Sequence, residues 1–299
     1  MQQLLSILLQ NNALKSDSSR LFHGRGGLYP DYQNIVVDFF SPTLLITLYK
    51  EVDDKIIESL LNFPAENILL QKRFLHRPEL VVLKGAIPEK GQALEEGMLF
   101  HLKFGVSQNI GFFLDMAKGR KWIREHAFGK KVLNLFSYTC SLSVAALKGG
   151  ASGVINVDMS KGALSVGRDN HLLNQMKMND VKFLPYDILK SWKNISKHGP
   201  YDLVVIDPPT NQGESFKVER DYYKMIKRLD EMTNPEALVF ACLNSPHLKS
   251  DFLTKLFIDH APQFVFQERV QSAFVESEND GEAGLKILVY KKGSKTPEN

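Results

Sequence analysis

Val132-Leu133-Asn134-Leu135-Phe136-Ser137-Tyr138-Thr139-Cys140 starts as a short apolar run and breaks off into small polar and aromatic residues. A run of that length reads as a buried strand, Val132–Phe136, followed by a bend into a helix. Working outward, Ser141–Lys148 reads as a helix closed by Gly149-Gly150, Val154–Val157 as the next strand and Lys161–Gln175 as the next helix. Val181–Leu184, Leu203–Ile206 and Ala237–Cys242 are three more strands, with helices near Ile188–Ile195, Glu219–Met232 and Lys249–His260. Such alternation predicts an α/β fold, a parallel sheet with helices on both faces. It ends in Phe264–Val270 and Leu285–Tyr290, successive strands without a helix between them, which pair most easily as a terminal antiparallel hairpin.

Upstream the rhythm differs. Asn34–Phe40, Thr43–Tyr49, Asn67–Arg73 and Glu79–Lys84 read as strands, and Val52–Asn62 as a helix with Ile56, Ile57, Leu60 and Leu61 on its apolar side. Turn signals at Ser41-Pro42, Pro64, Pro78 and Pro88-Glu89 separate them. The expected organisation is a small α+β accessory domain over residues 1–105 and a Rossmann-like catalytic domain over residues 106–299.

The two cysteines, Cys140 and Cys242, build no disulfide framework, and the eight histidines are scattered, without metal-ligand spacing. Met1–Leu14 lacks a basic leader and reads as a short amphipathic helix, and apolar runs such as Leu203–Ile206 are far too short to span a membrane. A reducing, cytoplasmic location is the default expectation. Net charge is +3; residues 1–100 carry 10 Lys and Arg against 12 Asp and Glu, so the basic excess lies downstream.

In doubly wound sheets, ligands sit at the carboxyl ends of the strands. Phe136-Ser137-Tyr138-Thr139-Cys140 holds no glycine, which disfavours a dinucleotide pyrophosphate and tolerates a cofactor without phosphates. Asp158 follows the second strand, where a carboxylate can accept both hydroxyls of a ribose; Asp158 or Ser160 could equally cap the next helix. Asp187 follows the third, placed to accept from an adenine amine or to cap the helix at Ile188. Asp207-Pro208-Pro209 follows the fourth, where two prolines make a stiff turn that presents the carboxylate.

Taken together, these segments resemble the bacterial large-subunit (23S) ribosomal RNA methyltransferases of the RlmI/RlmK type, which include cytosine-C5 and guanine-N7 enzymes. The resemblance rests on Gly111-Phe-Phe-Leu-Asp-Met116 with Gly119-Arg120, Leu133–Thr139, Gly149-Gly-Ala151, Val157-Asp-Met-Ser160, Asn170 with Asn174, and Asp207-Pro-Pro209 with Asp221-Tyr222. It implies a class I S-adenosylmethionine-dependent methyltransferase fold and S-adenosyl-L-methionine as cofactor. By matched position, Phe136, Ser137, Tyr138 and Thr139 would line its methionine end. Asp158 would hold the ribose with Met159 beside the adenine, and Asp187 and Ile188 would address the adenine. Asp207 would lie near the methionine amine or the target base, and Phe113, Leu114 and Arg120 would close the site. Cys140 departs from the glycine of many relatives, and Met116-Ala117-Lys118 lacks an arginine often found after the Leu-Asp pair.

The implied substrate is RNA, with ribosomal RNA foremost. Methylation at cytosine C5 needs a thiolate that adds to the ring, and Cys242, at the end of the fifth strand, is the candidate nucleophile; a small buried strand cysteine is the plainer reading. Thr210 stands where exocyclic-amine enzymes carry an aromatic ring, which disfavours adenine-N6 chemistry and leaves ring nitrogens open. Two basic stretches could face phosphate, Lys118–Lys131 and Lys217–Arg228, and His23-Gly24-Arg25-Gly26-Gly27 reads as a flexible basic loop. Alternatives are a same-fold methyltransferase acting on protein or a small molecule, and a non-catalytic RNA-binding module.

Overall fold

The structure is a computed structural model that describes residues 2–13, 17–77, 79–105, 109–274 and 280–293; the turn expected at Pro78 lies outside them. The chain divides into two compact units, one built mainly from Met1–Leu114 and the other mainly from Asp115–Val275 with Gly281–Asn299.

In the first unit, helix α1 (Gln2–Ala13) packs Leu4 and Leu8 onto a five-stranded sheet. Its strands are β1 (Ser19–His23), β2 (Ile35–Phe40), β3 (Thr43–Leu48), β4 (Asn67–Lys72) and β5 (Glu79–Lys84), in that spatial order. β3 and β4 are parallel and joined through α2 (Asp54–Leu60), which Asp53 caps by accepting the Lys55 N–H. The β-branched and leucine-rich β2 and β3 are buried almost throughout. A separate hairpin, β6 (Gly91–Glu95) and β7 (Met98–Leu102), turns at Glu96-Gly97, both with positive φ as a tight two-residue turn requires.

The second unit opens with α3 (Ala117–His126) and β8 (Lys131–Leu135), then α4 (Ser141–Lys148), β9 (Gly153–Val157), α5 (Lys161–Leu173), β10 (Val181–Leu184), α6 (Trp192–Ser196) and β11 (Tyr201–Ile206). A two-residue ribbon, β12 (Asn211–Gln212) with β13 (Phe216–Lys217), leads into α7 (Val218–Ile226) and α8 (Leu229–Met232). β14 (Thr233–Leu243), α9 (Ser250–His260), β15 (Phe264–Val270) and β16 (Lys286–Lys292) complete it. The sheet order is β10-β9-β8-β11-β14-β16-β15. The first five strands are parallel, and β16 slots in antiparallel between β14 and β15. The expected terminal hairpin is present, with its second strand on the inside. β11, β14 and β16 bury Val204, Ile206, Val239, Ala241, Leu288 and Tyr290 in one core with Tyr222, Met225 and Phe257 from the helices above.

Strand order reverses between β8 and β11, since the chain moves outward through β9 and β10 before crossing back. Leu135 and Ile206 are register partners there, so the loops starting at Phe136 and Asp207 leave the sheet side by side. That is the place where open α/β sheets bind their ligands.

Candidate active site

The loop after β8 is held in a demanding conformation. Phe136, Tyr138 and Cys140 have φ of 56°, 46° and 63°, a region that costs residues other than glycine about 1–2 kcal/mol each. Four hydrogen bonds offset that cost. The Ser137 N–H donates to Val157 O (3.1 Å), the Cys140 N–H to Ser137 O (2.7 Å), the Tyr138 N–H to Asp158 Oδ2 (2.9 Å), and Asn170 Nδ2 to Thr139 O (2.9 Å). The strain is over-determined by its surroundings, a pattern that concentrates at functional sites.

Asp158 is the hinge of this arrangement. It stands at the end of β9 and accepts the Tyr138 N–H on one oxygen and the Ser160 N–H (2.8 Å) on the other. It does not cap α5: that role belongs to Ser160, whose hydroxyl accepts the Ala163 N–H. A carboxylate offers about four lone-pair sites; with two engaged, two remain for a ligand diol. Met159, next to it, is 44% exposed, an open apolar side chain at the strand edge. The Ser137 hydroxyl is buried without a nitrogen or oxygen partner and lies against the weakly hydrogen-bonding Cys140 thiol. A buried hydroxyl met only by a thiol in such a loop suits a polar ligand group.

Beneath the loop, α5 supplies what the missing glycines would otherwise provide. A Cβ on Gly167 would fall 2.4 Å from Cys140 Sγ, so the cysteine at the glycine position is accommodated by a glycine on the helix below. Gly167→Ala is therefore expected to destabilise the protein by about 2 kcal/mol, and Cys140→Gly in the same chain to restore most of it, measured by urea unfolding. Additive losses in the double variant would contradict this packing account. His171 Nδ1 meets Gly167 O at 2.6 Å, which places the ring proton there and leaves Nε2 to accept from Ser143 Oγ (2.8 Å). Ser143 accepts from Asn156 Nδ2 (3.0 Å), and Asn156 Oδ1 from Asn134 Nδ2 (2.9 Å). This directional chain of buried groups ties β8, β9, α4 and α5 together. Burial pushes His171 down to about 4, so the ring stays neutral.

Asp187 caps the turn at Ile188–Lys190 by accepting the Leu189 N–H (3.0 Å), and its other oxygen pairs with Lys190 (3.2 Å). Its capping role is thus real, while Lys190 is too exposed for a strong pair. The Ile188 side chain belongs to the core. Asp207, at the end of β11, has its carboxyl pushed up to about 7, by burial first and then by the Asp115 carboxylate; the Cys242 thiol and the buried Arg120 act in the opposite direction. A carboxyl raised in the folded state binds a proton that the unfolded chain releases, so stability falls as pH rises from about 4 to about 7. Asp207→Asn is accordingly expected to raise the melting temperature relative to the parent at pH 8 and not at pH 4. Equal shifts at both would contradict the assignment.

Cys242 lies wholly buried in β14, where burial and the neighbouring Asp207 hold its thiol well above the ordinary range. The loop after β14 is fixed from two sides: Thr210 Oγ1 donates to Asn244 O, and the buried Lys286 Nζ donates to Ser245 O. Phe113 and Leu114 end the first unit, Phe113 exposed and Leu114 buried. Arg120 is fully buried in α3 and faces no solvent, so it is not part of a phosphate-facing stretch. Lys121 is paired with Glu125. On α7, Arg220 and Lys224 both bind the buried Asp221 at 2.7 Å, and ahead of α8 Arg228 binds Glu231 at 3.0 Å. Most of the second basic stretch expected to face RNA therefore serves local pairing, and in the first Arg120 and Lys121 are taken up in the same way, by burial and by an ion pair.

A profile of the S-adenosylmethionine-dependent methyltransferases matches residues 19–291. The chain belongs to the S-adenosylmethionine-dependent methyltransferase family. The methyltransferase is 31% identical over 263 residues to the Ribosomal RNA large subunit methyltransferase K/L of Colwellia psychrerythraea, covering 80% of this chain and 36% of that one. Identity to its Pseudoalteromonas translucida namesake is 31% over 233 residues, covering 71% and 33%. The chain thus spans about a third of the length of these curated relatives. Among solved structures, SMU.776, described as a methyltransferase complexed with SAH, superposes with a TM-score of 0.85 at 23% identity, covering 97% of this chain and 81% of that one. This likeness establishes the class I fold that the resemblance implied. The cofactor is S-adenosyl-L-methionine, which supplies an electrophilic methyl group on a sulfonium centre.

Asn170 and Asn174 stand out in the sequence without an evident role. The structure shows Asn170 bracing the loop through Thr139 and Asn174 closing α5 on Asn170 O. Gly167, Asn170, His171 and Asn174 recur at helical spacing on the face that α5 buries or half-buries, a polar stripe where an apolar one belongs.

Proposed function

We propose that this methyltransferase modifies a base of large-subunit ribosomal RNA, and does so at a ring nitrogen rather than at a pyrimidine C5. The RNA substrate is supported by the curated relatives, which are named as large-subunit ribosomal RNA methyltransferases. The choice of atom rests on one observation, the state of Cys242. Attack on a pyrimidine ring needs a thiolate within reach of the base. Cys242 is buried within a paired strand and its thiol is held protonated. A ring nitrogen already carries a lone pair and needs orientation only.

In this reading the ribose hydroxyls of the cofactor take the two remaining lone-pair sites of Asp158, and the methionine end meets Phe136–Thr139 with Ser137 as a polar contact. Met159 packs beside the adenine, and Asp187 accepts from the adenine amine in place of the exposed Lys190. Asp207 orients the target base or the methionine amine from the opposite loop. Arg120 acts on the site through the charge of Asp207.

Cys242→Ala is expected to retain methyl transfer within about threefold, read as labelled methyl incorporated into large-subunit RNA, because only a small buried side chain is trimmed. Complete loss with the fold intact would restore the thiol mechanism and with it cytosine C5. The cell compartment proposed is the cytoplasm, where such RNA is found; among the described residues no helix is long and apolar enough to cross a membrane.

A further inference from the structure

Residues 1–100 have a net charge of −2, yet half of the ten lysines and arginines among them converge on one end of the first unit's sheet. β1, β3 and β4 run in the same direction, because β2 is antiparallel to both β1 and β3 while β3 and β4 are parallel. Their carboxyl ends therefore emerge together. The Arg73 N–H donates to Leu48 O (2.8 Å), which keeps the last two in step. Arg25 follows β1, Tyr49 and Lys50 follow β3, and Lys72, Arg73 and Arg77 end or follow β4.

Tyr49 organises this end. The Arg25 guanidinium lies 4.1 Å from the centre of its ring and that of Arg73 5.6 Å, with Arg73 also donating to the Tyr49 hydroxyl at 3.2 Å. A guanidinium laid on a ring keeps its N–H edge directed outward and has already given up much of its rotational freedom. The loop that carries Arg25 is fixed as well, contrary to the flexibility expected from its glycines. Gly24–Gly26 form one 3-10 turn, and a Cβ on Gly24 would fall 1.9 Å from Tyr32 O, so the turn is seated against backbone. Lys72 is paired with Glu79 at 3.8 Å. Arg25, Lys50 and Arg77 are exposed and, among the described residues, have no carboxylate partner. That contrasts with α7, where Arg220 and Lys224 are bound to a buried aspartate.

Exposed cations gathered at one sheet end, two guanidinium groups of that end being laid on the Tyr49 ring, on an otherwise acidic unit fit a polyanion with regularly spaced phosphates. We infer that the sheet end formed by Arg25, Tyr49, Lys50, Arg73 and Arg77 is a phosphate-gripping edge for the RNA substrate, with Arg25 stacked on Tyr49 as its preset fork. This inference rests on the RNA reading given above. The edge grips phosphate, so it contributes affinity and register without reading sequence.

The test uses the full chain and a fluorescein-labelled single-stranded oligoribonucleotide, titrated at several salt concentrations. A combined variant, Arg25→Gln with Lys50→Gln and Arg77→Gln, is expected to bind roughly tenfold or more weakly. Its dependence of log affinity on log salt should be shallower by about 2, at ~0.7 for each phosphate no longer neutralised. S-adenosylmethionine affinity should not change, which shows that the fold is intact. Arg25→Lys keeps the charge and removes the flat fork, and is expected to weaken binding several-fold with the parent's salt dependence. Unchanged RNA affinity and salt dependence in the combined variant would overturn the proposal while leaving the RNA reading in place. Binding to vesicles of anionic phosphatidylglycerol that is abolished in the variant, with RNA binding retained, would overturn it in favour of a membrane edge. A parent protein with no RNA affinity would remove both readings.

Discussion

Asp158→Ala is expected to weaken S-adenosylmethionine binding by on the order of a hundredfold or more. Two hydrogen bonds from ligand hydroxyls to an ionised carboxylate are worth roughly 1.5–3 kcal/mol each. Removing the side chain also frees the Tyr138 N–H, which donates to Asp158 at 2.9 Å and holds a residue with φ of 46°. The strained loop then has less reason to keep its shape, so the loss extends beyond the ligand's own hydrogen bonds. Asp158→Asn preserves volume and one carbonyl acceptor and is expected to lose nearer tenfold. Calorimetric titration of the three proteins reads these differences directly. An alanine variant that binds within threefold of the parent would remove Asp158 from the cofactor site. Asp187→Ala should have the smaller effect of the two carboxylates, because part of its role is to cap a short turn.

Arg120→Met is expected to destabilise the protein by roughly 3–5 kcal/mol, the usual penalty for stranding a buried charge without its counter-charge. Arg120 is 0% exposed, and its positive charge opposes the upward push that burial and Asp115 exert on Asp207. Without it, the repulsion between the Asp115 and Asp207 carboxylates goes unopposed by that positive charge. The Asp207 carboxyl should then titrate above about 7, its place in the parent. Denaturant unfolding at pH 6 and pH 8 separates the two effects: the loss should be greater at pH 8, because a carboxyl raised further in the folded state costs more stability as pH rises. Arg120→Lys retains the charge and should recover part of the stability at both pH values. A loss below about 1 kcal/mol in the methionine variant would show that the guanidinium is not the counter-charge of this cluster.

Much of the second unit could be read before any coordinates. Ser141–Lys148, Val181–Leu184 and Phe264–Val270 carry strong local signals, and the structure places elements on those same residues. Glu219–Met232 reads as one helix because its apolar spacing runs through; the structure breaks it into α7 and α8 at Lys227-Arg228. β1 has no such signature: Ser19–His23 gains its place through β2 pairing and the Arg20–Asp38 ion pair at 2.7 Å, both long-range. The same division holds at the site. Residues that follow strands in an alternating fold can be counted off, which is why Asp158, Asp187 and Asp207 stand out in the sequence. The bend between Phe136 and Cys140 has no glycine to announce its positive φ values, and what stabilises it comes from Gly167 and Asn170, a helix away. Charge runs mislead for a related reason. The partner that neutralises Arg220 and Lys224 is one buried carboxylate, Asp221, whose own pairing holds it well below the usual carboxylate range.

The most direct trial of the whole account is transfer of labelled methyl from S-adenosylmethionine to large-subunit RNA taken from cells lacking this gene, followed by mass spectrometry of the digested nucleosides. The account predicts one new methylated nucleoside with the label on a ring nitrogen, formed equally well by Cys242→Ala and not by Asp158→Ala. Label recovered in protein, or in 5-methylcytidine that disappears with Cys242, would contradict it.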